Sequence, residues 1–210
     1  MKKVIEICGI DTSGKTTQTN RLMEILSLNG FNPQIIPKTL LLNPKVPRNF
    51  EERKKWYEQG NLDDVIFARL QSSREKAKII DSINDGVIIQ DRGYISSYSS
   101  CIAYCMQRED WDFHEANRYV TRQNQNVKCF PVEDLHCLLR INRDIGQVVK
   151  QRRKEEITDN FLKYLKCFSL SLDNISSRFS NIIKIDACLP KEDISQKIYT
   201  ILRRLLDYEK

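Results

Sequence analysis

The stretch that most limits what this chain can fold into is Gly9-Ile10-Asp11-Thr12-Ser13-Gly14-Lys15-Thr16-Thr17, which meets every fixed position of G-x-x-x-x-G-K-[ST]. A loop of this pattern needs a strand before it and a helix after it. Val4-Ile5-Glu6-Ile7-Cys8 is an apolar run of strand length, and Gln18–Leu28 sets Leu22, Met23, Ile25 and Leu26 on one side of a helix. Gly9 and Gly14 permit backbone conformations that a Cβ hinders. Successive N–H groups then turn inward around phosphate oxygens, and the helix N-terminus adds its partial positive charge. In such a loop Lys15 reaches the outer phosphates of a nucleotide and the Thr16 hydroxyl faces Mg²⁺.

The rest of the chain alternates in the same way. Short apolar runs at Val4–Cys8, Asn32–Ile36, Gly86–Gln90, Leu135–Ile141 and Ile182–Ile185 read as strands covered on both faces. Between them lie helical patterns at Lys15–Leu28, Phe50–Gln59, Leu62–Ile83, Ser96–Gln107, His114–Gln123, Ile145–Arg153, Thr158–Arg178 and Lys191–Leu206, with Asn61, Asp144 and Pro190 near helix starts. The alternation predicts an α/β fold: a three-layer α/β/α sandwich around a parallel sheet. A length of 210 residues fits one domain over 1–210, with a short mobile insert near 150–158.

Ligands of such sheets bind beyond the carboxyl ends of the strands, so the residues just after each strand are the candidates. After the first strand, Asp11 inside the loop repels phosphate. It either serves a sugar hydroxyl on the acceptor side or pairs with a nearby arginine. After the third comes Asp91-Arg92-Gly93. Asp91 is placed to hold Mg²⁺ with Thr16, and Arg92 to make planar, bidentate contacts with a phosphate; the plain alternative is a solvated turn. After the fourth, the helix ends in Lys150-Gln151-Arg152-Arg153-Lys154-Glu155-Glu156. This is either a solvated helix end or a lid whose Arg152 and Arg153 fold over a transferring phosphoryl group. Thr12 carries no charge, so an arginine near that group has to come from elsewhere, which favours the lid. Phe67, Leu70 and Arg74 share a face of the helix between the second and third strands. That face could form a slot for a flat base, although for Phe67 an ordinary core position is the better expectation.

Net charge is +6, sequence pI about 8.9 and mean hydropathy −0.49. The excess suits anionic ligands, and without a basic stripe interleaved with aromatics it does not point to nucleic acid. No run approaches membrane-spanning length, and the apolar start is too short for a secretion signal, so a cytoplasmic protein without membrane contact is expected. Seven cysteines, no C-x-x-C pair and only two histidines speak for free thiols in a reducing compartment over zinc.

Together these residues resemble the thymidylate kinase family of nucleoside monophosphate kinases, over nearly the whole chain. The resemblance runs through Gly9–Gln18, Asp91-Arg92-Gly93-Tyr94-Ile95-Ser96-Ser97, Glu133-Asp134-Leu135, Arg152-Arg153-Lys154-Glu155-Glu156 and Ile185-Asp186-Ala187. It implies a five-stranded parallel core, ATP as donor, Mg²⁺, a small-molecule nucleotide acceptor and, by analogy, a homodimer. It gives ATP phosphates to the loop (Gly9, Asp11, Thr12, Ser13, Gly14, Lys15, Thr16, Thr17), Mg²⁺ to Thr16 and Asp91, and phosphoryl transfer to Lys15, Asp91, Arg92, Arg152 and Arg153. On the acceptor side it gives Asp11 the sugar, Arg92 and Lys38 the acceptor phosphate, Leu70 the place of a base-stacking aromatic and Arg74 the base edge. The chain departs from the family at Cys8, where a Glu is common, at Gly93, which leaves a gap where Tyr, His or Ser is usual, at Leu70, and at Ser100, for which Tyr98 or Tyr104 could compensate.

Overall fold

The structure, a computed structural model, describes residues 2–36, 40, 43–152 and 157–207. In chain order the elements are β1 (Lys2–Gly9), α1 (Lys15–Leu28), β2 (Pro33–Ile35), α2 (Phe50–Gln59), α3 (Leu62–Asp81), β3 (Gly86–Asp91) and α4 (Tyr94–Glu109). They continue with α5 (Phe113–Val127), β4 (Leu135–Arg140), α6 (Ile145–Arg152), α7 (Asp159–Ser176), β5 (Ile182–Asp186) and α8 (Lys191–Asp207). The five strands form one parallel sheet in the order β2-β3-β1-β4-β5. This is the three-layer α/β/α arrangement expected from the alternation.

β1 lies at the centre, hydrogen-bonded to β3 and β4. Helices cover both faces, so its burial is continuous instead of alternating: Ile5 and Ile7 are fully buried, and so is Glu6 between them. In α1 the buried positions are Lys15, Gln18, Thr19, Leu22 and Leu26, a 3–4 spacing that puts the loop lysine on the face turned to the core. α1 packs on α8, while α4 packs against α3, α5 and α7. Each fully buried Leu or Ile in this core contributes roughly 1.5–3 kcal/mol. Helix starts follow their caps. Asn61 accepts from the Asp64 amide at 3.1 Å, and Asp144 Oδ1 accepts from the Gln147 amide at 2.8 Å.

Phe67 departs from its expected core position and is 38% exposed. Its neighbours Val65, Ile66, Ala68 and Leu70 take the buried faces of α3, and Phe67 falls between them on the side turned to water. Cys8, Cys101, Cys105, Cys129 and Cys137 are buried free thiols, with Cys167 and Cys188 half-buried. Among the described residues no helix is long and apolar enough to cross a membrane. The fold brings the carboxyl ends of β1 and β3 together, where Ile7 pairs with Asp91.

Candidate active site

The loop between β1 and α1 is built around two tight places. Gly9 has φ +148, and a Cβ there would stand 2.7 Å from the Leu139 carbonyl oxygen and 2.5 Å from Ser13 Oγ, so no side chain fits. At the apex Thr12 adopts φ 68, an uncommon conformation for a β-branched residue and one that concentrates where backbone clamps a ligand. Lys15 is buried, and its Nζ donates to the Ile10 carbonyl oxygen at 2.7 Å. Burial, then the Arg92 guanidinium, pull the lysine's pKa from 10.5 down to about 7 against Asp11 and Asp91. An anion laid in the loop would reverse that pull.

Thr16 Oγ1 donates to Asp91 Oδ2 at 2.7 Å, so the loop hydroxyl and the carboxylate at the end of β3 already meet. The other carboxylate oxygen, Asp91 Oδ1, is buried without a hydrogen-bond partner. An orphaned carboxylate oxygen beside a hydroxyl fits a hard divalent cation such as Mg²⁺, which takes oxygen ligands and keeps part of its water shell. Arg92 follows in the left-handed conformation, φ 70. Its Nη2 donates to Asp11 Oδ1, so of the two roles weighed for Asp11 the arginine partner is present in this structure, and the arginine is Arg92 itself.

These groups open onto one cavity of about 920 Å³. Asp11, Thr12, Gly14, Lys15, Thr16 and Thr17 line one end, with Asp91 and Arg92. Gly9 and Ser13 lie beneath that surface; Ser13 is buried and its hydroxyl has no partner. Arg152 also lines the cavity. Its guanidinium donates to the Thr12 carbonyl oxygen and to the Ala187 carbonyl oxygen, both at 2.9 Å, so it spans the phosphate loop and the turn after β5. Arg153 and Lys38 lie outside the described residues, as do residues 154–156 of the stretch expected to form a lid.

The far end of the cavity differs from the sequence expectation. Leu70 is fully buried in the core, and Arg74 is exposed; neither lines the cavity. α3 is covered on more than one side, so its apolar stripe does not mark the face that meets a ligand. Arg69 does meet the cavity. Its Cζ lies 4.7 Å from the centre of the Tyr57 ring and 5.0 Å from that of Tyr104, and its Nη2 donates to Tyr104 Oη at 3.4 Å. Its Nε and the Tyr57 hydroxyl are buried without partners. Tyr104 stacks on Tyr57 at 5.4 Å and on Tyr164 at 4.6 Å, and Ser100 Oγ lies 2.7 Å from the Tyr164 hydroxyl. Ser100 thus supports an aromatic wall made by Tyr104 and Tyr164, while Tyr98 turns away to Thr121. The signal for Arg69 was a single cation in the otherwise apolar run Val65–Leu70.

Gly93 leaves no gap. The space beside it is filled by Glu133 and Glu6; a Cβ would collide with the Glu133 carboxylate and stand 3.0 Å from Glu6 Cδ.

No family model matches the chain. It is 25% identical over 214 aligned positions to a probable thymidylate kinase of Archaeoglobus fulgidus, covering 99% of this chain and 98% of the relative. It is 27% identical to a probable thymidylate kinase of Methanosphaera stadtmanae, covering 90% of each. Among solved structures, the thymidylate kinase of Candida albicans superposes with a TM-score of 0.69 at 19% identity, over 97% of this chain and 92% of that one. A deoxyadenosine kinase from M. mycoides, solved with bound dATP, superposes with a TM-score of 0.65 at 20% identity, over 97% and 100%. These structural matches carry the fold alone.

Proposed function

We propose, from its place among the thymidylate kinase-like nucleoside monophosphate kinases, that this chain moves the terminal phosphoryl group of ATP to a nucleoside 5′-monophosphate, with thymidylate as the first acceptor to try. The observation that carries the reading is the one cavity in which a phosphate-binding loop, the Arg92 guanidinium and the Arg69–tyrosine wall face a common space.

The assignment of parts follows from chemistry. The triphosphate tail lies along the loop, with the N–H groups of the arc and Lys15 on its oxygens. Thr16 and Asp91 would hold Mg²⁺, which when bound neutralises charge building on the phosphate oxygens. Arg92 sits between donor and acceptor ends and suits the acceptor's phosphate. Arg69 has only donors to offer, so it suits a base that presents carbonyl oxygens, such as thymine, against Tyr57 and Tyr104. Arg152, already tied to the loop at Thr12, brings a second cation within reach of the transferring group. Phosphoryl transfer asks the protein for alignment and electrostatics, with little covalent chemistry, and the site provides both.

The test is a panel of nucleosides and nucleoside 5′-monophosphates offered with MgATP, with ADP release measured and products identified. A diphosphate formed from a monophosphate, thymidylate foremost, is the expected result. Monophosphate formed only from nucleosides would refute the acceptor assignment, and no transfer to any acceptor would refute the kinase reading.

A further inference from the structure

Behind Arg92 lies a group of polar side chains that the phosphate chemistry leaves unused. Strand register sets Gln90, Glu6 and His136 side by side across β3, β1 and β4, and all three are buried. Glu133, at the entry to β4, joins the row, with Gln90 Nε2 donating to its Oε1 at 3.0 Å. Buried carboxylates require donors. These find them in the first turn of α4. Glu6 Oε1 accepts from the Gly93 amide at 2.8 Å and from the Ser96 amide at 2.9 Å, and Oε2 accepts from the Ile95 amide at 3.2 Å. Glu133 Oε1 accepts from the Tyr94 amide at 2.8 Å. The four amides that open α4, which a helix cannot satisfy internally, are thus taken by two side chains remote in sequence. Gly93, at the cap position, has no side chain for the task.

The cluster is charged. Burial by itself raises the Glu6 pKa, but His136, whose Nδ1 lies 2.9 Å from Glu6 Oε2, and the Ser96 groups bring it below the ordinary value. Glu133 moves the other way, through burial and the neighbouring Glu6 charge. Glu6, Glu133 and His136 offer ligand atoms within 4.8 Å of one another. Yet the Glu6 oxygens already hold three amides and an imidazole, which makes the group a helix cap and leaves Glu6 nothing to give a cation.

Arg92 immediately precedes this cap. Its φ of 70 costs an ordinary residue of order 1–3 kcal/mol unless its surroundings fix it. They do. Its N–H donates to the Ile7 carbonyl oxygen at 3.1 Å, its own carbonyl accepts from Lys76 Nζ at 2.7 Å, and the next amide belongs to Glu6. We propose that Glu6, assisted by Glu133, is a positioning residue for phosphoryl transfer: by capping α4 it holds the Arg92 peptide in its left-handed conformation and so aims the guanidinium at Asp11 and the acceptor's phosphate. The proposal rests on the role given to Arg92 above. Neither carboxylate lines the cavity, so their effect passes through the backbone of residues 92–96.

Glu6→Gln keeps the volume and replaces one accepting oxygen with an NH₂ group that faces amide donors. The expected result is a fall of about 10–100-fold in kcat/KM for the acceptor, shared by its KM, with the KM for ATP within about twofold of wild type. A crystal structure of the variant reads the same change without turnover, with Arg92 displaced from Asp11. Equal losses for ATP and acceptor, a drop in kcat alone that follows the folded fraction, or Arg92 unmoved in the crystal would overturn the proposal. Should Glu6→Gln not fold, Glu133→Gln, which of the four amides disturbs only that of Tyr94, is expected to show a smaller shift in the same direction, and equal ATP and acceptor effects there overturn it. If the wild type uses no acceptor in the panel, the functional reading has failed and the crystal comparison alone decides the positioning role.

Discussion

Mixing ATP with the nucleotide-free protein at pH 8 should draw close to one proton from the buffer. Lys15 stands buried against the Ile10 carbonyl with its pKa pulled down to about 7 by burial first and Arg92 second. With that value about one lysine in eleven carries its proton at pH 8, and about one in a hundred at pH 9. A triphosphate tail beside the ammonium favours the charged form and returns the pKa toward its ordinary range. Binding therefore takes up about 0.9 proton at pH 8, and affinity weakens about tenfold, or about 1.4 kcal/mol, from pH 8 to pH 9. Over this range the nucleotide's own phosphates are already ionised. The same shift acts on the free protein. Between the folded value of about 7 and the ordinary 10.5 the unfolded chain holds more protons on this lysine, so its contribution to stability rises with pH through that window and is flat below it. Isothermal titration calorimetry at pH 8 in two buffers of different ionisation enthalpy counts the proton directly, and Lys15→Met removes the uptake. Identical heats in both buffers, with an affinity flat from pH 7.5 to 9, would show that Lys15 keeps its proton in the free protein.

Three further outcomes follow from the cavity and the core behind it. Arg69→Leu should lower kcat/KM for the acceptor about 10–100-fold, the loss of a charge-assisted hydrogen bond, while the KM for ATP stays within about twofold; initial rates with each substrate varied check this. Leu70→Ala should lower unfolding free energy by about 2–5 kcal/mol and leave the acceptor KM unchanged, because Leu70 is core and not pocket; urea denaturation beside kinetics separates the two. Asp91→Asn should raise the Mg²⁺ concentration for half-maximal rate by about 10–100-fold, which a Mg²⁺ titration at fixed ATP measures.

The phosphate-loop end of the cavity was legible because its information is local. A phosphate loop is eight consecutive residues between a strand and a helix, here Gly9 to Thr16, and the rule that ligands sit at strand ends carried Asp91 and Arg92 to the same place. The wall around Arg69 was not, for two physical reasons. A helix turns about 100° per residue, so an error of one position in its phase moves the ligand-facing side chain to another wall. α3 is buried on more than one side, its apolar residues do not mark that phase, and Arg69 rather than Arg74 meets the cavity. The polar row behind Arg92 depends on register across three strands far apart in sequence, which joins Glu6 to Gln90 and His136. Glu6 interrupts an apolar strand, and that interruption was the one available sign of a buried carboxylate with a task. Gly93 then reads as the consequence: two carboxylates fill its side-chain space.

In the proposed reaction the loop and Arg92 hold two phosphate groups in line within one cavity. A bisubstrate compound, adenosine joined through five phosphates to the nucleoside that the panel identifies, tests this in a single inhibition study. Competition with both ATP and the monophosphate, and binding tighter than either alone, is the expected result. Inhibition competitive with only one of them, or none at concentrations that saturate ATP binding, would contradict it.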